Sequence, residues 1–109
     1  MTGGQTKQRR AARKYRRLFV RYGSAAPTHR AIAQQISPVG LFLSTNETVY
    51  AEGSPILIEI AGPAATWVVA GIVRHAFKVH PTMARFTKPG MGIEFTSVPD
   101  PCRTYLASL

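Results

Sequence analysis

The sequence predicts a small all-β domain, because short apolar segments alternate with turn-forming residues along most of its length. Strand-like alternation is clearest in the segment PILIEI at 55–60, where three isoleucines share one face. About six such segments follow one another closely, bounded by glycine, proline, serine or asparagine. This spacing predicts a closed barrel or a sandwich, and 109 residues correspond to a single domain.

The first three strands are predicted before residue 45. Leu18–Tyr22 is rich in the aliphatic and aromatic residues that suit a pleated, half-buried surface. The turn cluster Gly23–Pro27 separates it from a second strand at Thr28–Ile36. Ser37–Gly40 is a tight turn, because proline fixes φ and glycine adopts conformations barred to other residues. Leu41–Ser44 then forms the third strand.

The other three strands lie in the second half of the chain. Pro55–Ile60 is the alternating segment described above, and the dipeptide that follows it, glycine-proline, turns the chain. Thr66–Val79 predicts a long strand with a bulge or bend at Gly71. A loop at 80–89 leads to the last strand, Ile93–Thr96. Beyond two prolines, Cys102–Leu109 predicts a short terminal helix.

Positive charge is concentrated near the beginning of the sequence. The chain has 14 Lys and Arg against 5 Asp and Glu, a formal charge of +9. Basic residues crowd together between Lys7 and Arg21, whereas the first acidic residue is Glu47. We therefore predict a flexible basic arm at 1–12 and one domain at 13–109. The excess charge predicts a phosphate-bearing ligand, an anionic membrane surface or an acidic protein as partner.

Neither catalysis nor metal binding is predicted. His29, His75, His80 and Cys102 have no metal-ligand spacing, and there is no paired-carboxylate pattern. Ser37 lacks the flanking glycines of a nucleophile elbow. Cys102 is interpreted as a small hydrophobe, and a single cysteine fits a reducing compartment. We therefore expect a protein that is not an enzyme and needs no cofactor. Because no signal peptide and no segment long enough to span a membrane is visible, we expect it in the cytoplasm.

Two arginines four residues apart, Arg13 and Arg17, directly precede the first predicted strand. Arginine suits phosphate and guanine because its planar fork donates two parallel hydrogen bonds and its face stacks on a base. One bidentate arginine–guanine contact discriminates by roughly 1–3 kcal/mol. In so basic a segment the same spacing also occurs at Arg9/Arg13 and at Arg17/Arg21.

Two further motifs follow in order, QISPVG at 35–40 and GMGIEF at 90–95. Together with the arginine pair, this succession resembles the PilZ domain over residues 13–109. The resemblance implies a six-stranded antiparallel β-barrel with a C-terminal helix. It also implies a bacterial receptor for cyclic di-GMP, a second messenger with two phosphates and two guanines.

The resemblance assigns binding roles to specific residues. Arg13 and Arg17 take the positions of the family's arginine pair, which clamps phosphates and the Hoogsteen edges of guanine. Ser37 and Gly40 match the family's second motif, whose polar residues bond to a guanine while its glycine lets the base approach. Gln35 stands where that motif has Asp or Asn, and its longer side chain predicts weakened rather than abolished binding. Because the basic segment has surplus charge, Arg9, Arg10 and Arg16 are expected to make further phosphate contacts. Arg74 is expected to line the same surface.

The expected mechanism is a disorder-to-order switch of the segment from about Lys7 to Arg17, whose charges repel and which has few apolar anchors. The arm is expected to become ordered on the ligand near Ser37, and a separate, unidentified protein then recognises the new surface, in motility, surface attachment or envelope regulation. Trp67 and Phe77 are expected to pack in the barrel. Two alternatives stay open: a degenerate adaptor that acts only through protein contacts, and a non-specific nucleic-acid or membrane-surface binder. Nucleic acid is the less expected partner.

Overall fold

In the computed structural model, which describes residues 16–83 and 87–109, the chain forms a closed barrel of six antiparallel strands. The strands are β1 (Leu18–Gly23), β2 (His29–Ser37), β3 (Gly40–Ser44), β4 (Pro55–Ala61), β5 (Thr66–Phe77) and β6 (Gly90–Ser97). Around the barrel they follow the order β1-β2-β3-β6-β5-β4, and β4 pairs with β1. A 3-10 turn (Pro81–Met83) follows β5, and helix α1 spans Asp100–Ser108. The predicted six-stranded barrel with a C-terminal helix is confirmed.

The barrel interior is filled by one face of each strand. Ile56, Ile58 and Ile60, the predicted inward row of β4, are each at most 1% exposed. Tyr22 from β1 and Met91 from β6 are fully buried in the same cluster. Since burying one such side chain contributes about 1.5–3 kcal/mol relative to leaving it exposed, the alternation of apolar residues is the main source of the fold's stability.

Helix α1 joins the barrel through its apolar side. Cys102 and Leu106 are fully buried, and the helix packs against β2. Burial raises the pKa of the Cys102 thiol, which fits its interpretation as a small hydrophobe. The helix begins at Asp100, two residues before the predicted start. Pro101 does not delay it, because proline is tolerated in the first helical turn, where its missing N–H has no intrahelical acceptor.

β-bulges interrupt two of the strands. The register of β2 with β3 shifts between Gln34 and Ser37, and that of β5 with β6 shifts between Ala70 and Gly71 and again between Val73 and His75. The predicted irregularity at Gly71 is confirmed. A β-carbon built on Gly71 would lie 2.8 Å from the Glu94 carbonyl oxygen, so the close approach of β6 requires glycine there.

The pairing of β1 with β2 fixes where the barrel begins relative to the β2–β3 turn. Leu18 lies opposite Ala33, and Tyr22 lies opposite His29. Because the strands are antiparallel, the residues before Leu18 leave β1 at the end where β2 runs on to Ser37. The segment that precedes the barrel therefore starts beside the predicted binding turn.

None of the helices in 16–83 and 87–109 is long and apolar enough to cross a membrane. Within the same ranges, no group of three His, Cys, Asp or Glu side chains could hold a metal ion.

Candidate functional site

A groove of about 540 Å³ crosses the outer surface of the barrel from the end of β2, over β3 and β6, to β5. Side chains of different chemistry meet in it: an amide, an arginine–glutamate pair, an imidazole and two phenyl rings. The residues that contribute them are Gln35, Arg74, Glu94, His75, Phe42 and Phe77.

The bulge on β2 and the second of the two bulges on β5 form opposite sides of this groove. On β2, Ala31 and Ala33 point inward, so strict alternation would bury Gln35 as well. The bulge reverses the alternation: Gln35 is exposed, with φ of 49°, and Ile36 is fully buried instead. On β5 the second register shift leaves both Arg74 and His75 exposed. Bulges are frequent beside binding sites because they redirect side chains in this way.

Gly92 lines the groove without a side chain, so the sheet surface is open at this position. Gly92 pairs with Phe42 on one side and with His75 on the other. A β-carbon built there would lie 3.4 Å from His75 Cδ2, an ordinary contact, so the barrel itself does not require glycine at this position. Glycine at this position leaves the surface of the sheet open between the rings of Phe42 and His75.

Phe77 contradicts the expectation that it packs inside the barrel. It is 53% exposed, with its ring centroid 5.9 Å from that of Phe42 and 6.5 Å from that of His75, to which it is stacked at 30°. Val69 and Val73 point inward, and the bulge after Val73 reverses the alternation, which turns Phe77 outward. Trp67, by contrast, packs against the core as expected, 5.6 Å from the ring of Tyr105.

Arg74 lines the groove, as expected from the sequence. Its Nε donates a hydrogen bond to Glu94 Oε1 from the neighbouring strand, and both side chains are more than half exposed. An exposed pair of this kind contributes at most about 1 kcal/mol, so the guanidinium can exchange Glu94 for a ligand acceptor at small cost.

A second groove, of about 720 Å³, adjoins the first and shares Phe42 and Phe77 with it. Lys78 and Lys88 line it. The two phenyl rings therefore form a ridge between two open grooves, one of which carries lysine side chains.

Ser37 and Gly40, both assigned by the resemblance, build the turn at the edge of the groove. Ser37 is 1% exposed, and its Oγ accepts hydrogen bonds from the backbone N–H groups of Val39 and Gly40 at 3.2 Å each and donates one to the Gly40 carbonyl at 3.2 Å. A β-carbon built on Gly40 would lie 2.3 Å from the Ile93 carbonyl oxygen. In this arrangement both residues hold β2, β3 and β6 together and keep Gln35 and Val39 exposed.

The predicted arginines are only partly within the described structure. Arg16 and Arg17 are exposed and directly precede β1. Arg9, Arg10 and Arg13, together with the predicted arm at 1–12, lie outside the described residues.

A different polar cluster lies at the far end of β2. The buried Tyr22 hydroxyl donates to the Thr48 carbonyl and lies 3.1 Å from Thr45 Oγ1, which in turn donates to the Arg30 carbonyl at 2.8 Å. Glu47 is held by His29 Nδ1 at 3.2 Å and by Arg30 Nε at 3.3 Å. We call this set the β2 clamp (Tyr22, His29, Arg30, Thr45, Glu47, Thr48). It ties the connection after β3 to the barrel.

Ionisation in the β2 clamp follows from these contacts. Burial raises the pKa of the Tyr22 hydroxyl, and its hydrogen bond with Thr45 offsets part of that rise. Desolvation acts to raise the pKa of Glu47 too. Hydrogen bonds from the Arg30 backbone and from the side chains of His29 and Arg30 outweigh it, and that pKa is lowered overall.

Comparison with known proteins bears on the fold. No protein-family model matches the sequence, and neither does any curated protein. Among solved structures, the Bacillus subtilis inhibitor of motility (MotI/DgrA) superposes on 91% of this chain with a TM-score of 0.70 and 18% sequence identity. The chain spans about half of that structure, 47% of its length. The neighbour is a PilZ-domain protein, and the barrel described above has a PilZ-like fold.

Proposed function

We propose that this chain is a cyclic di-GMP receptor of the adaptor type, which binds the ligand between the segment before β1 and the groove and then presents the complex to a protein partner. The PilZ-like fold supports an adaptor role. The solved neighbour is named as an inhibitor of motility, and motility is accordingly the first process in which to look for the partner.

One observation carries the proposal: a row of paired residues crosses the groove from Gln34 on β2 to His75 on β5, and β1 begins beside the Gln34 end of that row. Gln34 pairs with Phe42, Phe42 with Gly92, and Gly92 with His75. Leu18 pairs with Ala33, so continuing that register by one residue brings Arg17 level with Gln34. Because the barrel is closed, this row, extended to Arg17, curves around its outer surface, over roughly 19 Å of arc at about 4.8 Å between strands. Arg17 lies at the β2 side of the groove, so a ligand that carries both phosphates and bases can contact the arginine and the groove together.

The chemistry along this row fits a doubly charged dinucleotide. The formal charge of +9 lies mostly before β1, and Arg16 and Arg17 are exposed at the start of the row. We assign phosphate binding to these two and to Arg9, Arg10 and Arg13. Gln35 has an amide that can bond to a guanine edge. Ser37 and Gly40 are proposed to act on the ligand through the turn that presents Gln35.

The alternative of a degenerate adaptor is also supported by a specific observation. The Ser37 hydroxyl already makes three hydrogen bonds within the turn. A guanine contact at Ser37 would have to displace one of them. If the chain acts by protein contacts alone, it should capture a protein partner equally well with and without cyclic di-GMP.

Isothermal titration calorimetry with cyclic di-GMP tests the proposal. We expect saturable binding by the wild type, and affinity roughly ten- to hundredfold lower in Arg13→Ala and in Arg17→Ala, because each loses a charge-assisted contact to phosphate or guanine. Arg21→Ala is the matched control: it removes the same charge from the same basic segment, but Arg21 lies on β1 beside Glu59, away from the groove. It should bind like the wild type.

Three outcomes count against the proposal. Absence of any heat with cyclic di-GMP favours the degenerate adaptor. Equal losses in Arg17→Ala and Arg21→Ala mean that net charge alone is sensed. Equal binding of GTP or single-stranded DNA, with a steep salt dependence, favours a non-specific anion binder.

A further inference from the structure

We infer that Phe77 and His75 form a stacking wall for one guanine of cyclic di-GMP, with the open surface over Gly92 as the floor that one edge of the base contacts. This inference rests on the proposed function and locates one base of its ligand. It uses residues to which neither the arginine pair nor the turn motif assigns a role.

The exposure of Phe77 is the first argument. An aromatic ring at the end of a strand normally gains its stabilisation by burial, yet Phe77 remains 53% exposed at the mouth of a groove. The His75 ring lies 6.5 Å from it at an interplanar angle of 30°, and the Phe42 ring lies 5.9 Å from it at 47°. Phe77 is thus held in place by its neighbours while part of its ring stays open to a ligand. Aromatic surfaces of this kind stack on nucleobases.

The shape of the floor is the second argument. A flat purine can approach a sheet closely only where no side chain projects, and Gly92 provides such a place between Phe42 and His75. The groove volume of about 540 Å³ lies within the range usual for small-molecule sites. A base inserted here would contact the backbone of β6 with one edge and turn one face toward the wall.

The polar groups around the floor are the third argument, and they favour guanine. Arg74 lies on the same strand as the wall and can donate to O6 and N7, both of which are acceptors in guanine. Gln35 borders the groove from β2 with an amide group. Glu94, which now accepts from Arg74, can accept from the guanine N2 amino group once Arg74 turns to the base.

Substitution of Phe77, measured by calorimetry with cyclic di-GMP, tests the wall. Phe77→Ala should weaken binding roughly tenfold or more, the usual effect of removing one stacking ring. Phe77→Tyr keeps the ring and should bind within about twofold of the wild type. Phe19→Ala is the matched control, because Phe19 is 87% exposed but lies on β1 outside the groove. It should leave the affinity unchanged.

A second variant tests the floor without touching the wall. Gly92→Leu places a side chain on the floor and should abolish binding, while the thermal unfolding midpoint stays close to that of the wild type because position 92 faces the open groove and its β-carbon makes no contact under 3.4 Å. If the wild type binds cyclic di-GMP but Phe77→Ala and Gly92→Leu bind as well as Phe19→Ala, the wall is overturned and the proposed function stands. If the wild type does not bind, the proposed function fails together with it.

Discussion

The two ends of strand β2 differ in what their polar side chains do. At the His29 end, the β2 clamp bonds its side chains to one another and to backbone carbonyls, and its central hydroxyl, that of Tyr22, is fully buried. At the Ser37 end, the bulge turns Gln35 outward into a groove whose other wall is an exposed phenylalanine. At one end of the strand, polar side chains hold the connection after β3 in place. At the other end, a polar side chain is exposed at the edge of the groove.

The backbone differs between these ends in the same way. The pairing of β1 with β2 is regular from Leu18 to Tyr22, whereas β2 pairs irregularly with β3 between Gln34 and Ser37. A regular ladder maximises hydrogen bonds and buried area, so irregularity beside an exposed groove indicates that the fold gives up some stability there. The comparison predicts that loss of a β2 clamp contact lowers stability, whereas relief of the irregular backbone at the groove end raises it.

The largest stability effect should come from Tyr22→Phe. The substitution removes the hydroxyl that donates to the Thr48 carbonyl, and because Thr48 is exposed and water can replace the donor, the cost should be about 0.5–1.5 kcal/mol. The thermal midpoint should fall by several degrees, since about 1 kcal/mol shifts a domain of this size by roughly 4–8 °C. Tyr105→Phe, in the ring that packs on Trp67, is the control. A loss of cyclic di-GMP affinity in Tyr22→Phe would show that the two ends are not independent.

A smaller effect of opposite sign is expected from Gln35→Asn. Gln35 has φ of 49°, in the left-handed region that disfavours residues other than glycine and is tolerated best by Asn and Asp. Asn should therefore raise the free energy of unfolding by about 0.5–1 kcal/mol in urea titrations. Gln34→Asn, one residue earlier on the same strand, is the control and should not stabilise. An unchanged or lower stability of Gln35→Asn would contradict the strain at this bulge.

This backbone conformation gives a physical reason for the residue type that the PilZ motif has at this position. Asp and Asn hydrogen-bond to their own backbone and adopt the left-handed region more readily than Gln does. The departure at Gln35 therefore concerns the local backbone as well as the length of the side chain that faces the groove.

Most of the fold could be predicted from the sequence because its signals are local. Alternation over Pro55–Ile60 and the turn chemistry of Ser37–Gly40 each specify their element without knowledge of the rest of the chain. The predicted strands differ from the observed ones by only a few residues at their ends, for example at Ile93–Thr96, which lies within Gly90–Ser97.

The groove could not be predicted in the same way, because both of its sides depend on bulges. A bulge inserts one residue and reverses which face later side chains occupy. Gly71 could be identified because glycine often marks such a place, but Gln35 has no comparable signal. The prediction that Phe77 packs in the barrel is wrong because the bulge after Val73 reverses the alternation of β5. The signal that could have revealed it is the adjacent polar pair Arg74 and His75, which breaks the alternation of β5.

The smallest predicted effect tests whether the β2 clamp contributes stability through charge. Hydrogen bonds from Arg30 and His29 lower the pKa of Glu47 below its ordinary value of 4.5. A carboxyl whose pKa is lower in the folded than in the unfolded chain stabilises the fold above the unfolded value, and that contribution disappears as the pH falls through the folded value. The urea midpoint should therefore decline below about pH 4.5 in the wild type, and less steeply in Glu47→Gln.

Glu52→Gln is the control for that experiment, because Glu52 is an exposed carboxylate on the same connection between β3 and β4. Its acid profile should follow that of the wild type. The affinity of Glu47→Gln for cyclic di-GMP at neutral pH should also match that of the wild type. Glu47 contacts the His29 end of β2, which is the end away from the groove. If Glu47→Gln and Glu52→Gln decline identically in acid, the interactions of Glu47 with His29 and Arg30 position the connection without adding measurable stability, and the Tyr22 hydroxyl alone accounts for the β2 clamp.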